Sequence, residues 1–209
     1  MMSSLNPGII LIIAGVLSPL LPRAIRGWVL LTVPVFSFLY MLSLNVGDSV
    51  TIKTLGYTLE LLRVDKLSMV WGYIFHLAAF LGMLYALHVK DPMQQVSALI
   101  YAGAAIGAVF AGDLITLFVY WELTAISSVF LIWASRNETA YKTGMRYLLI
   151  QVGSGVILLA GVLIWYRDTG SLEFGHIGIE TLGGKLIFLA FGIKCAFPLL
   201  HNWLQDAYP

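Results

Sequence analysis

Two side chains in this chain have the type and the placement to move charge. Glu122 lies inside an apolar run, 114–134, and Lys194 lies inside another, 186–200. An ionisable group at the centre of a hydrophobic span costs at least ~2.5–3.5 kcal/mol on insertion scales, so such residues mark function or close pairing. Glu122 is nine residues past Asp113, and Lys194 is nine past Lys185. At about 1.5 Å per residue both groups are predicted ~13 Å deep, near the middle of a ~30 Å hydrocarbon core. An ion pair between two helices requires this common depth. Burial disfavours the charged form of each group and a facing partner restores it, so a pair that opens and closes can load and release a proton. The competing reading is a static bridge pinning two helices, which adds little net stability once desolvation is counted.

Other polar residues rank behind this pair, each with two readings. Pro198, four residues after Lys194, is expected to break the helix, as in discontinuous transporter helices, or simply to kink it. His201 and Asp206 follow that break as relay candidates, with capping or interface contacts as the alternative. His76 lies nine residues past Leu67 among Tyr73, Phe75 and Phe80. It is a third relay candidate, or else a packed and satisfied histidine. Ser127, Ser128 and Gln151 either line a hydrated path or bond neighbouring helices. Asp65 and Asp113 sit where carboxylates favour helix N-termini.

The elements that must hold these groups follow from composition. The chain is 59% apolar and 11% charged, with mean hydropathy +0.88. Soluble domains carry about 25% charged residues, so this is an integral membrane chain. A net charge of +1 without a basic run gives no footing for nucleic acid. The single cysteine, Cys195, excludes an internal disulfide. Residues 1–6 carry no Lys or Arg, so the first hydrophobic run is expected to be a span and not a cleaved signal.

Apolar runs at 5–21, 27–44, 67–87, 96–110, 114–134, 144–166 and 186–200 predict an all-α, polytopic bundle of about seven transmembrane helices, the seventh broken, in a single domain over 1–209. Arg23, Arg26, Lys90, Arg136, Lys142 and Arg146 fall in connections on one side, which places the N-terminus outside and the chain in the cell (inner) membrane as a multi-pass protein. The outer connection 49–62 alternates in part around Gly56 and predicts a small β-hairpin. Gly103 and Gly107 form a small-residue face suited to close helix packing. Trp28, Trp71, Trp133, Trp165 and Tyr166 fall near span ends, as interfacial anchors do.

Four segments carry a family resemblance. Segment 112–123, GDLITLFVYWEL, resembles the fifth helix of the antiporter-like subunits of respiratory complex I and of multisubunit (Mrp-type) Na+/H+ antiporters. Segment 194–208, KCAFPLLHNWLQDAY, is similar to that family's broken seventh helix. Arg146-Tyr147-Leu148-Leu149 with Gly153-Ser154-Gly155 resembles its sixth, and Val64-Asp65-Lys66-Leu67-Ser68 the start of its third. The resemblance implies that Glu122 and Lys194 are the family's proton-handling pair. It also implies other membrane subunits as partners, and protons with Na+ or K+ as the moved ions. The sixth-helix wording leans toward the D-type subunit. Gln205 stands where the family commonly has proline, and Pro198 lies one residue nearer the lysine than in many members. The family fold is two inverted repeats, so the chain is expected to be its N-terminal part, a fragment or one piece of a split subunit.

No Gly-rich dinucleotide fingerprint, cysteine cluster or metal-ligand spacing occurs, so no cofactor and no metal are expected. The leading expectation is a proton-translocating subunit of a monovalent cation/proton antiporter. The alternatives are the membrane subunit of a redox-driven pump, of complex I or membrane hydrogenase type, and a structural or assembly fragment.

Overall fold

The computed structural model describes residues 4–54, 56–89 and 91–207. Residues up to Gly112 form one unit and residues from Asp113 onward form a second.

The first unit holds α1 (Pro7–Leu17), α2 (Arg23–Leu42), a hairpin of β1 (Ser49–Thr54) and β2 (Tyr57–Arg63), α3 (Lys66–Tyr85) and α4 (Pro92–Val109). The hairpin forms where the alternation predicts it. Gly56 turns it at φ +81, a left-handed conformation that costs glycine nothing. Asp65 begins α3 through a capping box with Ser68, and Asp91 caps α4. Asn6 caps α1 by accepting from Gly8, and its amide donates to Leu61 O at 3.2 Å and Gly107 O at 3.0 Å. One side chain thereby ties the start of α1 to the hairpin and to α4.

The expected small-residue face is a packing face. α1 lies against α4 so closely that a methyl group on Gly8 would collide with the backbone at Gly103 and Gly107. Leu11, Leu30, Met41, Leu99, Ile106 and Phe110 fill the interior between the four helices.

The second unit holds α5 (Leu114–Trp133), α6 (Glu138–Thr169), α7 (Leu182–Lys194) and the short α8 (Asn202–Ala207). Asp113 caps α5 by accepting from the backbone of Ile115 and Thr116 and from the Thr116 hydroxyl. Gly170, at φ +72, ends α6. α6 packs on both α5 and α7.

Several expectations change. The run 5–21 is an eleven-residue helix followed by a 3₁₀ turn, Ser18–Leu20, because Pro19 cannot continue it. α6 is 32 residues long and outruns its apolar stretch at both ends. Arg26 is not a solvated loop charge. It is buried and donates to Ser18 O, Pro19 O and Leu21 O, carbonyls of the turn that follows the early stop. Among the described residues four helices are long and apolar enough to cross a bilayer: α2, α3 with its 3₁₀ extension, α5 and α6. Large apolar side chains such as Phe36, Leu77, Leu149 and Val156 point outward along them, as a lipid-facing surface requires.

The α1–α4 contact generates a test. Gly8→Val should lower stability by about 1–3 kcal/mol through overpacking. Gly82→Ala, in α3 with open space around it, should be neutral or raise stability by about 0.5–1 kcal/mol. Thermal unfolding in detergent measures both.

Candidate functional site

Glu122 lies in the third turn of α5, two turns below the Asp113 cap, and is half-buried. Its Oε1 is fully enclosed and makes no hydrogen bond. The carboxylate projects onto α6 at Gly155, where a Cβ would overlap it outright. A glycine is therefore what makes room for the acid.

Lys194 is the last residue of α7. A cation in a final turn faces the negative end of the helix dipole, a favourable position for an ammonium. Its Nζ donates to Trp121 O and to Thr124 Oγ1, both at 3.2 Å, and lies 4.9 Å from the centre of the Trp121 ring. Phe191 of α7 packs edge-to-face on the same indole at 4.9 Å. Lys194 thus grips α5 on either side of Glu122 in sequence. The two groups are within electrostatic reach of each other. No hydrogen bond closes the pair, since the ammonium turns to the α5 backbone and threonine while the carboxylate faces α6.

The helix break is not made where the sequence suggests. α7 stops four residues before Pro198 through a Schellman turn: Ala196 adopts φ +53, Ala196 N donates to Ile193 O at 3.1 Å, and Phe197 N donates to Gly192 O at 2.9 Å. Pro198 follows the stop and does not create it. Leu199 is also left-handed, at φ +73, so the chain between α7 and α8 carries two strained non-glycine residues. Ile193 O gains a further donor, Trp203 Nε1 of α8, at 3.1 Å.

The relay candidates separate. His201 sits half-buried in the connection just before α8. Asp206 of α8 is an exposed partner of Arg146 on α6, a tie between those two helices. His76 belongs to the first unit, buried with Nδ1 on Gly72 O at 2.7 Å and Nε2 on the Ser37 hydroxyl at 2.9 Å. Both ring nitrogens are engaged there, as in a satisfied packed histidine.

Sequence reasoning misses three contributors. Thr124 and the Trp121 carbonyl hold the lysine, and Gly155 makes room for the acid. A glycine inside a long apolar helix is the one signal that points to the last of these. The described residues hold no group of three or more His, Cys, Asp or Glu side chains that could bind a metal ion.

An outward apolar surface and helices long enough to span a bilayer define an integral membrane protein of helical type. A family model described as "NADH:quinone oxidoreductase/Mrp antiporter, TM" matches residues 111–209, which takes in the whole second unit. Over 99% of its length the chain is 29% identical to the A1 subunit of the Na(+)/H(+) antiporter of Staphylococcus haemolyticus and covers 29% of that protein. Two solved structures superpose on it. One is the membrane-bound sulfane sulfur reductase, an archaeal respiratory membrane complex (TM-score 0.83, 23% identity, 97% of this chain, 36% of that chain). The other is the Mrp complex from Dietzia sp. (TM-score 0.81, 23% identity, 96% of this chain, 24% of that chain). Residues 111–209 thus match that family model, and along its whole length the chain is similar to an antiporter subunit. It spans about three-tenths of the length of the curated relatives it matches.

The Schellman turn generates a prediction. Ala196→Gly should raise thermal stability in detergent by up to about 1 kcal/mol, because glycine adopts positive φ without a Cβ clash. Ala196→Val should lower it by about 1–2 kcal/mol.

Proposed function

We propose that the chain is a proton-translocating, antiporter-type membrane subunit in which Lys194 and Glu122 form the protonation switch. The observation that carries this reading is the seat of Lys194: a basic group at the end of a broken helix, held by Trp121 O and Thr124 Oγ1, beside an acid with an unbonded oxygen. A salt bridge locked by hydrogen bonds would resist opening. Here the ammonium is held by α5 while the carboxylate Oε1 stays unbonded, so the two couple through space and a rotation of the Lys194 side chain changes their separation. Proximity to the carboxylate favours the ammonium, and separation in a low-dielectric interior favours the neutral amine and a released proton.

The working unit in this reading is a hetero-oligomeric assembly with other membrane subunits. Protons move with Na+ or K+, the N-terminus is outside and the basic connections face the cytoplasm. The sixth-helix wording leans to a D-type subunit, whereas the similar curated chains carry the designation A1.

The family description names NADH:quinone oxidoreductase beside the Mrp antiporter, which supports a second reading. In it the same pair answers to electron transfer in partner subunits. Reconstituted complex separates the two. Cation exchange driven by an imposed pH gradient supports the antiporter, and transport only on adding an electron donor supports the redox pump.

In either case Lys194→Ala should slow transport by about a hundredfold or more, while the complex assembles at normal yield. Wild-type flux in Lys194→Ala would overturn the switch. Loss of assembly in both Lys194→Ala and Lys194→Met would assign the pair to helix pinning.

A further inference from the structure

Gln151 is a deeply buried polar side chain of the second unit that the proposed switch leaves unused. It is 1% exposed, and neither its Oε1 nor its Nε2 has a hydrogen-bond partner. An amide with both ends unsatisfied in a helix interface is costly unless water serves it. Its position says what such water would connect.

Three contacts set the register of α5 against α6: Glu122 with Gly155, Ser128 with Tyr147, and Trp133 with Gly144. The helices run antiparallel at a nearly constant sum of residue numbers, which places Gln151 opposite Ala125. Ala125 is fully buried and small, so the amide has room between the helices. Gln151 is four residues from Tyr147 and four from Gly155, on the same stripe of α6. Each step is a rise of about 6 Å, which one water spans with two hydrogen bonds of about 2.8 Å. On one side of Gln151 is the unbonded Oε1 of Glu122. On the other is the pair Ser128 Oγ and Tyr147 OH, 2.7 Å apart. Tyr147 then packs on Trp203 of α8, next to the exposed Arg146–Asp206 pair.

We infer that the α5–α6 interface holds a water-linked proton relay running from Glu122 through Gln151 to the Ser128–Tyr147 hydroxyl pair. This rests on the reading of Glu122 as a group that takes up and gives up protons. Gln151 is a positioning residue: its carbonyl accepts from one water and its amide donates to the next, which holds the two waters in hydrogen-bond contact, so the proton passes from water to water beside the amide while the side chain neither gains nor loses one. The hydroxyls can accept and donate at once. A proton entering at the tyrosine end displaces one proton along the chain onto the carboxylate, no bond to carbon changes, and hydroxyl rotation resets the chain.

The test uses the complete assembled complex in proteoliposomes, with flux, assembly yield and thermal unfolding measured together. Gln151→Leu keeps the volume and removes both amide groups. It should slow proton-coupled flux about tenfold while assembly and unfolding temperature stay unchanged or rise. Gln151→Asn, which retains an amide and leaves space for water, should recover flux to within about twofold of wild type. Tyr147→Phe keeps the ring against Trp203, loses the hydroxyl and should slow flux as Gln151→Leu does. Wild-type flux in Gln151→Leu would overturn the relay. Should that variant fail to assemble, wild-type flux in Tyr147→Phe would overturn it equally. Glu122→Gln keeps the outcomes apart. If it blocks flux while both relay variants run normally, the relay alone falls, and if it runs normally, the underlying switch falls first.

Discussion

Backbone polar groups inside lipid have no bulk water to turn to, so a helix can stop there only where other groups take over its last carbonyls. α7 stops at Lys194, and the second unit is arranged around that stop. Backbone N–H groups of Cys195, Ala196 and Phe197 fold back onto Phe191, Ile193 and Gly192, and an indole from α8 adds a donor to Ile193 O. These carbonyls are thus served from within the protein. The stop also delivers an ammonium to the negative end of a helix dipole, where a mid-helix lysine would gain nothing of the kind. Placement of the charge and satisfaction of the backbone are one solution.

The same requirement explains features elsewhere. α1 ends early at Ser18, and a buried arginine from α2 supplies donors to three carbonyls of the turn that follows. Asn6 serves the opposite end of α1. In the second unit Asp113, Asn137 and Thr181 each cap a helix start through a side-chain oxygen. Among the described residues the buried side-chain atoms that stay unserved are few and grouped: Trp121 Nε1, Glu122 Oε1 and the two ends of Gln151, on α5 and α6 alone. In a chain so thorough about its helix ends, that grouping marks where polarity is put to another use.

Much of this is legible from residue types. An acid and a base in long apolar runs stand out in any hydropathy profile, and both lie where their helices are joined, through Trp121 and Thr124. The hairpin follows from alternation around Gly56. What stays hidden depends on neighbours distant in sequence. Ala196 has no composition signal for a left-handed turn, so the sequence directs attention to Pro198, two residues late. Arg26 reads as a solvated loop charge until the short α1 exposes carbonyls beside it. Gly155 is visible as a glycine, but only the fold reveals that an acid fills the place of its missing side chain. Equal depth predicts a direct bond between Lys194 and Glu122, yet the ammonium bonds Thr124 and the Trp121 carbonyl while the carboxylate turns into the space left by the α6 glycine.

α8 is held at two points: its indole to the end of α7, and its aspartate to Arg146 of α6. The connection before it contains two left-handed residues and a proline, which narrows the backbone conformations open to it. Three positions along α8 thus separate the exposed salt link from the indole that reaches the carbonyl next to the lysine, so the surface of the unit and the end of α7 share one short element.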